Sequence, residues 1–308
     1  MPVFGPVYQG DERARAALAA LLAALQSRHA GAVDAVLFYG SCLRSGDLHD
    51  GLVDLYVIVR DYRGAHRTRR AAAANRALAP NVYYLQTGTA NGTVRCKYAV
   101  LSMADLERGV SRNWFESYIW GRFCQPVAVA HHRDEATLER VRAALRTATI
   151  TFLDRALPAI AASGTVASLW TDALALSYAT ELRAESGKRS GTLVAMGAEY
   201  FNSATREVAA ALRWPLAIDG ERYSAKIPPA GRRTAAFAWG MRRVQGKLLS
   251  VARLLKALLT FEGGFDYIAW KLERHSGRPV VIPPRVRKYP LIFVWGLMWR
   301  LYREGILR

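Results

Sequence analysis

The chain has 308 residues, which is enough for two domains and a sizeable apolar core. Lysine and arginine together number 43 against 25 acidic residues, and the formal net charge of +18 favours partners that carry negative charge, such as nucleic acid, an anionic membrane or a phosphorylated substrate. With 51% apolar and 22% charged residues, the composition excludes an intrinsically disordered chain and a polytopic membrane protein.

Cysteine and histidine patterns exclude several kinds of site. The three cysteines stand far apart and form no CxxC pair, so we expect neither a disulfide framework nor a cysteine zinc site. The six histidines show no HxxxH or HExxH spacing, which leaves zinc hydrolysis without support. The first eleven residues lack the basic and apolar segments of a leader. We therefore expect a chain that begins near Met1 and works in a reducing compartment.

The first half of the chain combines helices with short apolar runs typical of buried strands. Leucines at helical spacing predict an amphipathic helix over 11–29, and a second helix is predicted over 67–78. The apolar runs are β-branched or aromatic and end at glycine, asparagine or polar residues, which favours strands. The predicted strands lie at 36–39, 52–59, 82–86 and 93–101.

From residue 104 onward the pattern is mainly helical, interrupted by one extended piece at 126–130. Prolines and glycines between 214 and 231 predict loops or a small hairpin. Helices are predicted over 104–119, 134–157, 167–185, 193–212 and 234–259. Strands concentrated in the first half and helices in the second predict an α+β fold.

The last twenty residues contain an apolar segment flanked by cations. Eleven consecutive apolar or small residues, 289–299, are too few to span a bilayer, which needs about 20. Aromatic side chains within the segment and arginines on both sides of it are typical of a helix that lies among the headgroups of an anionic membrane. The alternative interpretation is a terminal helix that packs on the core.

The segment most indicative of chemistry runs from Phe38 to Val59. A strand ends at Gly40-Ser41, a short helix is predicted near residue 42, and a second strand carries Asp54. A glycine at a strand end lets backbone amides approach a phosphate, and an adjacent hydroxyl adds a donor. A carboxylate on the neighbouring strand can hold the Mg²⁺ that bridges the same phosphates. This strand-helix-strand pattern resembles the polymerase-β-like nucleotidyltransferase superfamily.

One position departs from that superfamily. Its members usually carry a second acidic residue two positions after the first, on the same strand face, where this chain has Tyr56. Asp47, Asp50 or a carboxylate from the second half would then have to complete the metal site. The alternative for Asp47 and Asp50 is that they are turn residues beside glycines.

Tyr56 in place of the second acid points to a narrower family within the superfamily. In the mitochondrial-type phosphatidate cytidylyltransferases, too, apolar or aromatic residues follow the metal-binding aspartate. Four further blocks of the chain, in the same order, are similar to segments of that family. They are Val82-Tyr83-Tyr84, Arg95-Cys96-Lys97-Tyr98-Ala99-Val100, Tyr118-Ile119-Trp120-Gly121-Arg122 with Pro126-Val127, and Leu176-Ser177-Tyr178-Ala179-Thr180-Glu181-Leu182-Arg183. Three positions differ from the family: Leu85 replaces an asparagine, Gln125 a lysine and Glu181 an aspartate.

The resemblance implies a three-part organisation. A nucleotidyltransferase-like mixed sheet with flanking helices is expected over 1–132, and a mostly helical, winged-helix-like domain that contributes to the cleft over 133–233. Basic helices ending in an amphipathic, membrane-associating tail are expected over 234–308.

The resemblance also implies an activity, the reaction of CTP with phosphatidate to give CDP-diacylglycerol and pyrophosphate. Asp54, Lys97 and Asp47 are the expected catalytic residues, and the two aspartates would hold Mg²⁺, with Mn²⁺ or Co²⁺ as substitutes. CTP is expected to contact Tyr39, Gly40, Ser41 and Lys97. Phosphate or lipid contacts are expected from Arg122, Tyr178, Glu181 and Arg183. For Lys97 the alternative is an ordinary lysine at a sheet edge, and for Glu181 an ion pair with a surface arginine.

Partners and location follow from the same resemblance. We expect CTP, phosphatidate and an anionic membrane surface as partners, and no nucleic acid. The expected location is the cytoplasmic face of a bacterial inner membrane, or the matrix side of the mitochondrial inner membrane in a eukaryote. Two alternatives stay open: a nucleotidyltransferase acting on a nucleic acid or a small molecule, and a non-catalytic basic protein that binds RNA or lipid.

Overall fold

A computed structural model describes residues 2–29, 31–182, 187–260, 265–266, 269–270, 272–273, 279–288 and 290–303 of the chain. Within these residues the protein is an α+β structure, and the strands of its large sheet all precede residue 133. The predicted fold class is therefore confirmed at the level of a mixed sheet with flanking helices.

The large sheet has five strands in the order β3-β4-β2-β1-β5. Only β2 and β4 run parallel within it, and the other neighbours are antiparallel. The strands are β1 (Val33–Tyr39), β2 (Val53–Val59), β3 (Asn81–Thr89), β4 (Gly92–Ser102) and β5 (Ala128–His132). The four predicted strands and the predicted extended piece all overlap these elements.

Alternate residues of the central strands face two separate apolar layers. On β1, Ala35 and Leu37 pack with helices from later in the chain, whereas Val36 and Phe38 pack with the leucines of the first helix. All four side chains are fully buried. A sheet covered on both faces needs apolar residues at every position, which explains the unbroken apolar runs of the sequence.

The helices flank the sheet and then form most of the second half. Those of the first half are α1 (Glu12–Arg28), α2 (Ser41–Ser45), α3 (Tyr62–Ala65), α4 (Arg69–Ala77), α5 (Met103–Val110) and α6 (Trp120–Phe123). Those of the second half are α7 (Glu135–Ala156), α8 (Val166–Tyr178), α9 (Gly187–Met196), α10 (Ala198–Val208), α11 (Pro229–Thr260), α12 (Pro284–Lys288) and α13 (Pro290–Arg303).

The helix predicted over 104–119 is shorter than expected. Helix α5 ends at Val110, and turns follow it up to α6. The carbonyl oxygen of Val110 accepts a hydrogen bond from the buried hydroxyl of Thr151 at 2.7 Å, so a partner outside the helix satisfies its last turn. The apolar spacing continued past this point because the turn residues face the same core.

Two further predicted helices differ from the structure. The helix predicted over 167–185 ends at Tyr178, and turns follow as far as the description extends. The helix predicted over 193–212 is divided at Gly197, which separates α9 from α10. In both cases the helical spacing of apolar residues carries across a break in the backbone, which periodicity alone does not reveal.

A second, smaller sheet lies in the second half, with the strand order β6-β8-β7. Both of its pairings are antiparallel. The strands are β6 (Ser163–Thr165), β7 (Leu216–Asp219) and β8 (Arg222–Ala225), and β7 with β8 forms the predicted hairpin. Helix α8 follows β6 directly and packs against the same core as α7 and α10.

Helix α11 spans both halves of the protein. Near its start, the indole N–H of Trp239 donates a hydrogen bond to the carbonyl of Arg155 at 2.9 Å. Near its end, the ammonium of Lys256 donates to the carbonyl of Pro80, at the entry to β3, at 2.8 Å. The helix therefore ties the end of α7 to the large sheet.

The C-terminal helix α13 has one packed face and one exposed face. Its packed face joins a small apolar cluster of Val280, Ile282, Val286, Leu297 and Leu301. On the exposed face, Trp295 is 74% and Trp299 is 65% accessible to solvent. Tyr289, the first residue of the predicted apolar run, lies outside the described residues. Among the helices that the structure describes, none is long and apolar enough to cross a membrane.

Candidate active site

A cavity of about 350 Å³ opens where β1 ends and β2 begins. Strand β4 and helices α2, α6, α8 and α9 complete its walls. Its lining residues are Tyr39, Gly40, Ser41, Arg44, Asp54, Lys97, Arg122, Gln125, Pro126, Tyr178, Thr192, Leu193 and Met196. The structure thus brings together seven of the residues predicted from sequence. We call this cavity the cleft.

Gly40 and Asp54 are in close contact at the base of the cleft. The antiparallel register of β1 and β2 sets Tyr39 opposite Asp54, so the residue after Tyr39 meets the carboxylate. Gly40 has a positive φ of 90°, and a Cβ at this position would lie 2.5 Å from Asp54 Oδ2. Glycine is therefore required twice, for the backbone conformation and for room beside the carboxylate.

Lys97 faces Asp54 across the parallel pair of β2 and β4. The two residues are direct partners in the register, and Lys97 Nζ lies 3.9 Å from Asp54 Oδ1. The side chains are 39% and 25% exposed, so the pair is loose and hydrated and contributes little to stability. Strand β4 lies between β3 and β2, so Lys97 is not a sheet-edge lysine. Its ammonium is available to a second anion in the cleft.

Arg122 is held in place by an acid and two aromatic rings. Its guanidinium lies 3.6 Å from the Glu181 carboxylate. The same group lies over the rings of Tyr118, at 5.4 Å, and Tyr39, at 5.8 Å. Because burial raises the pKa of Tyr39, its phenol stays protonated at neutral pH and remains a hydrogen-bond donor. The cluster fixes a planar cation at the wall of the cleft.

Tyr178 reaches the cleft because α6 and α8 approach closely. Gly121 lies against the Ser177 hydroxyl, where a Cβ would collide with it. This contact places Arg122 beside Tyr178, although the two are far apart in sequence. The Tyr178 hydroxyl donates to the side-chain oxygen of Gln125 at 3.2 Å, and both residues line the cleft.

Tyr56 occupies the position of the missing second acid. Its side chain is 1% exposed, and its ring lies 4.8 Å from Phe123 and 5.2 Å from Tyr39. Burial, followed by the neighbouring Tyr118, raises the pKa of Tyr56 well above its usual value, so it stays neutral. Packed aromatic rings therefore occupy the position where the superfamily usually has its second metal-binding carboxylate.

Two described residues of the predicted site, Asp47 and Glu181, are not among those that line the cleft. Asp47 lies in the exposed loop after α2, where one carboxylate oxygen accepts the backbone N–H groups of His49 at 2.8 Å and Asp50 at 3.1 Å. These hydrogen bonds lower the pKa of Asp47 and account for its turn-forming role. Arg183 lies outside the described residues.

Six lining residues were not predicted as site residues. Arg44 follows Ser41 by three residues on α2, and that helical spacing is a signal the sequence did contain. The other five come from two segments that the tertiary fold brings to the cleft: Gln125 and Pro126 follow α6, and Thr192, Leu193 and Met196 lie on α9. No local pattern in the sequence indicates the three residues of α9.

The cleft offers a sparse donor set for a metal ion. Among its described lining residues Asp54 is the single carboxylate. In the described part of the chain, no group of three or more histidine, cysteine, aspartate and glutamate residues is arranged to hold a metal. Mg²⁺ commonly binds one or two carboxylates together with substrate phosphates, so these residues fit an ion shared with a triphosphate.

Comparison with known proteins points to one family. The model of the family described as "Phosphatidate cytidylyltransferase, mitochondrial" matches residues 55–198. The matched segment begins directly after Asp54 and includes Lys97, Arg122, Tyr178 and Glu181. A search of the curated proteins finds no match.

Proposed function

We propose that the chain belongs to the phosphatidate cytidylyltransferase family, whose model matches residues 55–198, and that it transfers a cytidylyl group from CTP to phosphatidate in the cleft. The reaction makes CDP-diacylglycerol and pyrophosphate, a step of phospholipid biosynthesis. One observation carries the assignment of the site: a glycine turn, a carboxylate and three cationic side chains line the same cavity.

The triphosphate of CTP fits the end of the cleft formed by Gly40 and Ser41. A backbone without a Cβ lets amide groups approach phosphate oxygens, and the exposed Ser41 adds a hydroxyl donor. Arg44 and Lys97 supply positive charge on either side. The volume suits a nucleotide's phosphates rather than a whole lipid, so the acyl chains of phosphatidate remain outside the cleft.

Asp54 is the residue that would hold Mg²⁺. An ion held there together with CTP would supply positive charge that offsets the negative charge of the triphosphate, and Mn²⁺ or Co²⁺ would serve similarly. Asp54 also keeps the ammonium of Lys97 within 3.9 Å, which positions that cation beside the same phosphates.

The lipid phosphate would enter on the side of Arg122. Its oxygen attacks the α-phosphorus in line, a new P–O bond forms, and the bond to the pyrophosphate leaving group breaks. The attacking oxygen is already anionic, so the step needs positioning and charge neutralisation more than a strong base. Arg122 can contact it with two parallel N–H groups, Glu181 orients that guanidinium, and the Tyr178 hydroxyl stands nearby.

The assay that tests this function uses [α-³²P]CTP, phosphatidate in detergent micelles and Mg²⁺. We expect labelled lipid from the wild-type chain and none above background from Asp54→Asn. Asp219→Asn, an exposed aspartate of the β7–β8 hairpin, is the matched control and should retain activity. Labelled RNA without labelled lipid would favour a different acceptor, and nucleotide binding without any transfer would favour a non-catalytic protein.

For residues 133–233 we propose a winged-helix-like unit. Its elements follow the order α7, β6, α8, α9, α10, β7 and β8. The last strand lies between the other two, which is the strand arrangement expected of a winged helix. Tyr178 from α8 and Thr192 from α9 both line the cleft, so this unit supplies part of the site.

We propose that the protein docks on an anionic membrane through α11 and the C-terminal helix. An apolar stripe runs along α11 at alternating spacings of four and three residues and consists of Phe237, Met241, Val244, Leu248, Val251 and Leu255, all exposed. Arg243 and Lys247 are exposed on the same helix. Apolar side chains with adjacent cations are typical of a helix that lies at a lipid surface. The exposed tryptophans of α13 add further apolar surface of the kind that suits a lipid headgroup region.

Vesicle flotation tests this docking surface. Phe237→Glu combined with Leu248→Glu should abolish binding to vesicles that contain anionic lipid, whereas Ala16→Glu, an exposed position of α1, should not. Deletion of residues 289–308 from the otherwise unchanged chain should weaken binding. Unchanged flotation together with a change in oligomeric mass would show that the stripe pairs with a second copy of the chain, and the membrane proposal would fail.

A further inference from the structure

A second cavity, of about 700 Å³, lies away from the cleft and shares no lining residue with it. Its walls are the end of α7, the segment 211–214 and the first part of α11. Four arginines line it, Arg112, Arg155, Arg213 and Arg242, against one described carboxylate, that of Asp154. The cavity is strongly cationic.

Arg242 is the unusual member of this set. Its side chain is almost fully buried, with 2% of the residue exposed. No carboxylate of the described residues lies within ion-pair distance of it, and its buried Nη2 has no hydrogen-bond partner. Its Nε donates to the carbonyl of Phe115 at 2.8 Å. A buried charge normally has an opposite charge beside it, because an uncompensated one is costly.

Aromatic rings surround the guanidinium of Arg242 but do not supply the hydrogen-bond acceptor that Nη2 lacks. The rings of Phe115, Trp239 and Trp120 lie 4.4, 5.1 and 5.7 Å from its central carbon. Such rings stabilise the cation through their faces. The N–H groups of a guanidinium point outward in its own plane and need acceptors there. An acceptor for Nη2 is therefore missing from the described part of the protein.

The one carboxylate of the cavity is already engaged. Asp154 accepts a hydrogen bond from Arg112 Nε at 2.7 Å and one from the backbone N–H of Arg213 at 2.6 Å. Burial, followed by the neighbouring charge of Arg155, lowers the pKa of Arg242 to about 10, so it stays charged at neutral pH. The remaining positive charge has no counterpart among the described lining residues.

We propose that this second cavity binds a phosphoryl group, with the buried Arg242 and the half-buried Arg155 as contacts and the exposed Arg213 at the entrance. Guanidinium groups bind phosphate oxygens through paired N–H donors. A phosphate oxygen would be the acceptor that Nη2 of Arg242 lacks among the described residues. The volume exceeds that of a single phosphate, so the ligand is a phosphate carried on a larger molecule, either a lipid headgroup or a soluble phosphate ester. The proposal does not depend on the function of the cleft.

Binding is measured as thermal stabilisation of the full chain at constant ionic strength. Three probes are compared with chloride: inorganic phosphate, glycerol 3-phosphate and a water-soluble short-chain phosphatidate. A ligand that binds the folded state at about one hundred times its Kd should raise the Tm by several degrees, roughly 5 °C. A cleft variant, Lys97→Gln with Arg122→Gln, removes two proposed phosphate contacts of the cleft. It should show the same rise, so that a probe bound in the cleft is not mistaken for one in the second cavity.

Variants locate the binding. Added to the cleft variant, Arg242→Met should abolish the rise. Arg155→Gln with Arg213→Gln, which leaves Arg242 in place, should increase at least tenfold the probe concentration that the same rise needs. Arg15→Met, an exposed arginine of α1, is the matched control and should respond like wild type. A rise that survives when Arg242→Met is added to the cleft variant, one that needs no more probe when the pair Arg155→Gln and Arg213→Gln is added, or one that vanishes in the cleft variant itself, would overturn the proposal.

The probes also separate the two sources of the phosphate. A rise with the short-chain phosphatidate at much lower concentration than with glycerol 3-phosphate identifies a lipid headgroup. Equal responses to glycerol 3-phosphate and phosphatidate identify a soluble phosphate ester. No rise with any probe above that of chloride would mean that Arg242 is balanced by its aromatic rings alone, and the site would be rejected.

Discussion

The cleft and the second cavity differ in whether their cationic side chains lie close to acidic ones. In the cleft, Lys97 lies near Asp54 and Arg122 lies near Glu181, so each of these cations has an acid that an incoming phosphate can replace. In the second cavity, Arg242 is deeply buried and no described acid lies beside it. Loose pairs suit a site where substrates arrive and leave, whereas an unbalanced buried charge suits a ligand that stays.

The difference leads to distinct expectations for mutation. Removal of a charge in the cleft should affect catalysis while the fold remains stable, because its groups are partly exposed. Removal of the buried charge in the second cavity should affect stability and anion response while catalysis continues. The predictions below test this separation.

The largest effect is expected for Asp54→Asn. Loss of the metal carboxylate should lower kcat by roughly 10³-fold, since charge neutralisation at the triphosphate supplies much of the barrier reduction. The melting temperature should stay within about 2 °C of wild type. Asp47→Asn serves as the comparison, because Asp47 hydrogen-bonds its own loop and does not line the cleft. Equal losses for the two variants would assign Asp47 a place in the metal site.

A smaller effect is expected for Gly40→Ala. The added Cβ would press on Asp54 Oδ2 from a position of positive φ, which displaces the carboxylate. We expect activity to fall roughly 10²-fold and the free energy of unfolding to fall by about 1–3 kcal/mol. Gly88→Ala, on β3 with no atom within 4 Å of the new Cβ, is the control. Equal activity in both variants would show that the contact with Asp54 is unimportant.

Arg122→Lys should act mainly on the lipid substrate. A lysine keeps the charge but loses the paired donors, so we expect the KM for phosphatidate to rise about tenfold with a smaller change for CTP. Glu181→Gln should have a weaker effect, because Tyr39 and Tyr118 still hold the guanidinium. Initial rates at varied phosphatidate and varied CTP separate the two substrates. A selective loss of CTP affinity would move Arg122 to the nucleotide.

The smallest change in activity is expected for Arg242→Met. The transfer rate should stay within about twofold of wild type. In chloride, the free energy of unfolding should stay constant or rise by about 1–2 kcal/mol, because an uncompensated buried charge is replaced by an apolar chain of similar length. Urea unfolding measures this. A fall of several kcal/mol would mean that the charge is balanced within the protein.

Much of the cleft was predictable because its central residues lie close together in sequence. Gly40, Ser41 and Asp54 belong to one strand-turn-strand segment, where a short apolar run, a glycine and a second run define the geometry. Lys97 required one further step, the pairing of β4 beside β2. Strands with both faces buried are recognisable because apolar residues follow one another along most of their length.

The remaining features depend on contacts that sequence patterns do not encode. Gln125 and Met196 reach the cleft only through the packing of distant segments. The break after Tyr178 is invisible because helical spacing continues beyond it. Arg242 follows the buried Trp239 by three residues, but the opposite face of the same helix is also apolar, so the sequence does not show which face is buried. Burial is a property of the whole fold.

Helix α11 is fastened at two distant points, by Trp239 to the end of α7 and by Lys256 to the entry of β3. A continuous helix of 32 residues is about 48 Å long and resists bending. A force applied anywhere along its outer face is therefore shared between both halves of the protein. A partner that binds along α11 therefore fixes the orientation of the large sheet and of the second half together.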